Sequence, residues 1–138
     1  MQVLSTTMLG SYFALLVFGT HWPWLPQQPD WVPVPTGFAL GPDKIAHITA
    51  FAGLSLLLAF WMQSRAARLT WRHYGVVALV LALYAPLDEL TQAWVPPRTP
   101  DVYDFYANLI GIGIGLAMFF LAERMGSRRF LTIEVDPT

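Results

Sequence analysis

The sequence predicts an all-α integral membrane protein: a compact bundle of four transmembrane helices with both termini cytoplasmic. Three observations predict it. Of 138 residues, 55% are hydrophobic and only 12% charged, with a mean hydropathy of +0.47, whereas about a quarter of an ordinary soluble domain is charged. Apolar runs recur at 4–20, 42–63, 76–95 and 100–122, each near the roughly 20 residues that a helix rising 1.5 Å per residue needs to cross the hydrocarbon core. Six of the seven arginines lie between Ser64 and Gly75 or in the tail from 123. Such asymmetry places those segments inside and the loops 21–41 and 96–100 outside. The whole chain reads as one membrane domain.

Each element has its own signals. Residues 4–20 follow no Lys or Arg and lead into no convincing small-x-small cleavage site, so they read as a membrane helix rather than a secretory leader. Between 21 and 41, Pro23, Pro26, Pro29, Pro33 and Pro35 exclude helix, while Trp22, Trp24 and Trp31 favour the headgroup level, giving an interfacial loop. Gly41-Pro42-Asp43 opens the second helix with proline at its first position and an acid at the positive end of the helix dipole. Pro86 interrupts the third run, removing one backbone bond and freeing the carbonyl of Ala82. Thr99-Pro100 reads as an N-cap followed by proline at N1 of the fourth helix. The tail 123–138 reads as cytoplasmic.

Against this apolar background the stretch 84–115 stands out. A charged side chain at mid-bilayer depth costs roughly 2.5 to 3.5 kcal/mol, so an intramembrane acid is first of all a functional-site candidate. At about 100° per residue, Asp101, Asp104, Asn108, Gly111 and Gly115 fall on one stripe about 80° wide. Glu89 and Gln92 share a side at i,i+3. Asp88 points about 100° away from Glu89, which leaves Arg98 or Lys44 as its expected partner. On the second helix, Asp43 and His47 lie at i,i+4, and Ala50 with Gly53 continues their stripe. By the arginine asymmetry, all these groups lie at the outer membrane level. Gly111 and Gly115 form a GxxxG face for close helix packing.

Net charge of −1 and an isoelectric point near 6.2 carry no basic signature, so nucleic acid is not an expected partner. Without cysteine there is no disulfide framework and no thiolate chemistry. No H-E-x-x-H or similar local motif occurs, so neither a metal nor another cofactor is assigned.

The motifs Asp43-Lys44-x-x-His47, Glu89-x-x-Gln92, Pro97-Arg98 and Asp104-x-x-x-Asn108-x-x-Gly111-x-x-x-Gly115 resemble the pattern of the VanZ-like membrane proteins, over roughly residues 41–122. The resemblance implies a small multi-helix protein of the bacterial cytoplasmic (inner) membrane, in a family whose namesake is linked to resistance to the glycopeptide teicoplanin. Around Thr99-Pro100-Asp101 the chain departs from the pattern, so the resemblance implies no role for Asp101.

Three readings stay open. In the first, an outward-facing polar site engages a membrane lipid or lipid-linked cell-wall precursor. His47, Glu89, Arg98 and Asp104 then form its catalytic group, with acid–base work by His47 and Glu89 and a phosphate held by Arg98. Asp43, Lys44, Gln92 and Asn108 would bind substrate, and Pro86, Gly111 and Gly115 would be structural. No nucleophile is evident, Thr49 and Thr91 being the nearest hydroxyls, so turnover is not assigned. In the second, the polar network only fixes helix register in a scaffold, as a homo-oligomer through the glycine face. In the third, His47, Glu89 and Asp104 bind a cation.

The arginine asymmetry is tested by labelling: a membrane-impermeant thiol reagent added from outside should modify a cysteine at Gln28 and not one at Ala67. The reverse pattern would turn the polar stripe to the cytoplasm.

Overall fold

Inside a bilayer a spanning segment must satisfy its own backbone hydrogen bonds, which for a chain without a closed barrel leaves only the helix. The structure is a computed structural model. It describes residues 2–21, 40–66, 68–96 and 101–133, from 126 onward by backbone alone. Four helices form: α1 Gln2–Thr20, α2 Pro42–Gln63, α3 Trp71–Gln92 and α4 Val102–Ile133. All four are long and apolar enough to cross a membrane, α4 through Val102–Met125, and no strand occurs among the described residues. The proline- and tryptophan-rich segment 22–39, Ala67 and the turn 97–100 lie outside them.

The helix bounds differ from the apolar runs where local bonding outweighs hydropathy. α3 starts at Trp71 rather than 76 because Thr70 caps it: His73 Nδ1 accepts the Thr70 N–H at 2.9 Å and lies 2.8 Å from the Thr70 hydroxyl, a reciprocal arrangement akin to a capping box. α3 runs on through Pro86. α4 begins at Val102, capped by Asp101, whose Oδ1 accepts the Tyr103 N–H at 2.8 Å; the expected cap at Thr99 lies outside the described residues. At the other end α4 continues past 122, because Tyr74 Oη and Gln63 Nε2 donate to the Glu123 carboxylate at 2.8 and 3.3 Å. A charge held by two donors need not end a helix.

The most extensive contact is between α2 and α4, which run parallel. A Cβ at Gly111 would collide with the Ile48 carbonyl oxygen, and one at Gly115 with the Ala52 carbonyl oxygen and Ser55 Oγ. Only glycine allows the backbones this close. Gly53 receives the Tyr12 ring from α1, and the Tyr12 hydroxyl donates to the Ala50 carbonyl at 3.0 Å. Phe51, Leu54, Val77, Leu81, Ala85 and Ile112 form the apolar centre, and Tyr84 stacks on Phe51 with ring centroids 5.9 Å apart. Outward, Leu15, Leu79, Leu83, Leu87, Leu90, Ile114 and Leu121 are exposed, a surface suited to lipid tails rather than water.

Gly111→Ala should therefore destabilise the purified protein by about 1 to 3 kcal/mol through overpacking. Gly113→Ala, two residues on and facing open space, should leave the melting midpoint unchanged or raise it. Equal midpoints for the two variants would contradict the α2–α4 contact.

Candidate functional site

The stripe read along α4 meets α2 at every step. Asp101 and Asp104 meet Lys44, Asn108 meets His47, and Gly111 and Gly115 meet the α2 backbone. Because the two helices are parallel, both N-termini sit beside these acids, and each terminus supplies roughly half a positive charge.

Lys44, the only lysine in the chain, anchors one side of the site. Its ammonium lies 2.6 Å from Asp101 Oδ2, 3.2 Å from Asp43 Oδ2 and 2.5 Å from Asp104 Oδ1. The last contact is a close ion pair without an aligned hydrogen bond. His47 stands one turn further along α2 and is 5% exposed. Its Nδ1 lies 3.0 Å from Asn108 Oδ1 and 3.5 Å from Glu89 Oε1, while Asn108 Nδ2 donates to Glu89 Oε1 at 3.3 Å. A carboxylate can only accept from that amide. The amide oxygen is thereby turned toward the imidazole, which donates from Nδ1 and has Nε2 on its other side.

A second network joins α3 to α1. Asp88, 1% exposed, accepts from Gln92 Nε2 at 2.8 Å, the Tyr84 hydroxyl at 3.1 Å and the Thr20 hydroxyl at 3.2 Å. His21 stands beside it, with Nδ1 2.9 Å from the Val17 carbonyl oxygen and Nε2 2.9 Å from Thr91 Oγ1. Three neutral donors on one buried carboxylate offset much of its desolvation cost.

Of the sequence candidates, Asp43, Lys44, His47, Glu89, Asp104 and Asn108 come together. Gln92 bonds Asp88, one helical turn back. Asp88 is held by Gln92, Tyr84 and Thr20, and Lys44 is engaged with Asp43, Asp101 and Asp104. Arg98 lies outside the described residues. Sequence reasoning missed Thr20 and His21, and noted Thr91 only as a nearby hydroxyl. Their signal was faint: polar residues at the end of one apolar run, within reach of an acid that lacked an assigned partner.

Between α1 and α2 a cavity of about 230 Å³ is lined by Leu15, Leu16, Gly19, Thr20, Asp43, Ala46, His47 and Ala50. Polar groups cluster at its α2 N-terminal end, and the remainder of the wall is apolar.

A family model described as VanZ/LLP1 matches residues 3–123, reaching from α1 into α4. No curated protein matches the chain, and no solved structure does.

Asp101 reports on the electrostatics at the mouth of the site. Burial would raise its carboxyl, but the bonds from Lys44 and the Tyr103 amide outweigh that and hold it below the ordinary 3.8. A carboxyl depressed in the folded state contributes stability that is complete above its unfolded value and lost as pH falls through its folded value. Asp101→Asn should thus lower the melting midpoint at neutral pH, with the gap to wild type closing as pH falls below 3.8. A gap of constant size across that range would show that Asp101 contributes through something other than its charge.

Proposed function

Because the chain belongs to the VanZ/LLP1 family, we propose that this multi-pass protein works in the bacterial inner membrane. Its polar site faces outward and engages the headgroup of a lipid-linked or cell-wall-related substrate. The observation that carries this reading is the cavity between α1 and α2, with Asp43, His47 and Thr20 at one end and Leu15, Leu16, Ala46 and Ala50 along its wall. An amphiphile has the same division of polar and apolar parts, and pockets that fix orientation with a few polar groups in an apolar lining are the usual form of a small-molecule site.

In this reading His47 meets the headgroup through the ring edge that carries Nε2. Glu89, 3.5 Å behind Nδ1, balances the positive charge the imidazole takes up when Nε2 accepts a proton or a Lewis-acidic partner. Asn108 fixes the ring's direction. Tolerance of the glycopeptide teicoplanin, with which the family's namesake is associated, is an envelope phenotype and the readout expected to depend on these residues.

Burial favours one rival. Asn108 is fully buried and Glu89 only 7% exposed, as in a network that merely fixes helix register in a scaffold. Glu89→Gln and His47→Gln separate the two. The substrate reading expects loss of the phenotype with melting midpoints close to wild type. A scaffold expects activity to fall only in step with stability, and full activity in both variants would remove the site.

A further inference from the structure

The way two carboxylates divide their oxygens points to a ligand. Lys44 contacts Oδ2 of Asp43 and Oδ1 of Asp104. The opposite oxygens, Asp43 Oδ1 and Asp104 Oδ2, face His47 Nε2 at 4.0 and 3.7 Å. Each acid thus has one oxygen on the ammonium and the other turned to the imidazole, and those distances are too long for hydrogen bonds. With Nδ1 donating to Asn108, a neutral imidazole presents a bare lone pair at Nε2. A lone pair facing two carboxylate oxygens is repulsive unless a positive charge lies among them.

We infer that Asp43, His47 and Asp104 bind one divalent cation of the zinc or manganese class through Asp43 Oδ1, His47 Nε2 and Asp104 Oδ2. One ligand atom from each of these residues can be chosen so that all lie within 4.8 Å of one another. Bonds of about 2.1 Å to a tetrahedral ion hold its ligands about 3.4 Å apart, so Asp104 Oδ2 at 3.7 Å and Asp43 Oδ1 at 4.0 Å from Nε2 would each draw inward by about half an ångström or less to share an ion with it. Charge agrees with geometry in sign: among the described residues here, Asp43, Asp101 and Asp104 surround a single ammonium, with Glu89 behind His47, and a divalent ion reduces that surplus of negative charge.

The group behind His47 is the kind that metal-ligating histidines use. A ring nitrogen held by an amide oxygen, with a carboxylate nearby, fixes the tautomer and strengthens the donor at the other nitrogen. Glu89 is on that Nδ1 side, so Asp43, not Glu89, completes the set. An imidazole donor disfavours calcium and magnesium, which prefer oxygen throughout. Three protein ligands leave a fourth position open, and since Asp43 and His47 both line the α1–α2 cavity, that position is available to water or to an anionic headgroup. The ion goes beyond the substrate reading and does not depend on it.

The test uses the full chain in detergent micelles, purified without a polyhistidine tag, stripped with chelator and titrated calorimetrically with ZnCl2, MnCl2 or MgCl2. The expected result is one zinc or manganese per chain, a higher melting midpoint with the ion bound, and no saturation by magnesium over the same range. Asp43→Asn, at an exposed position where folding should survive, should weaken binding about tenfold or more, and His47→Gln should abolish it. His21→Gln should titrate like wild type. The inference is overturned by an absence of saturable zinc and manganese binding, by wild-type binding in Asp43→Asn and His47→Gln, or by loss of binding in His21→Gln alone.

Discussion

The polar interior of this bundle depends on how closely α4 lies against α2. Gly111 and Gly115 let the α4 backbone touch the carbonyls of Ile48 and Ala52, and in parallel helices a contact at one level sets the contacts at the next. One turn toward the N-termini Asn108 reaches His47, and another turn brings Asp104 to Lys44. Replacing either glycine acts first on backbone distance, and through it on every ion pair upstream. Packing without side chains therefore governs the electrostatics.

Burying this much charge inside an apolar bundle works because no described acid in it stands alone. Lys44 serves three carboxylates, Asn108 links His47 to Glu89, and Asp88 receives three neutral donors. The two networks differ in kind. Around Asp88 every partner is a neutral hydrogen-bond donor, which suits a structural tie between α1 and α3. Around His47 the three carboxylates stand at 3.5 to 4.0 Å and the charges are uneven, which suits a group with something still to bind.

The four helices and the face of α4 were legible because the bilayer imposes length on one and helical periodicity imposes phase on the other. Asp104, Asn108, Gly111 and Gly115 followed from spacing alone, and so did their shared direction. Partner choice was not legible, since it depends on how helices rotate against each other. Gln92 could share a side with Glu89 at i,i+3 or bond Asp88 at i,i+4, and spacing does not choose between them; in the structure it bonds Asp88. The family resemblance implied no role for Asp101, yet it caps α4 and pairs with Lys44. The start of α3 was hidden because hydropathy cannot see a cap made by His73, and the end of α4 because a lone glutamate gives no sign of the tyrosine that holds it.

The cleft between α1 and α2 opens beside helices whose outer faces are made for lipid. A ligand dissolved in that lipid is confined to a thin layer, where its local concentration far exceeds what the same number of molecules would reach in the surrounding water. Occupancy at such a site follows concentration within the layer. Weak intrinsic affinity is then enough for any lipid-borne ligand, and a binding constant measured with a water-soluble fragment of such a ligand would understate its occupancy in the membrane.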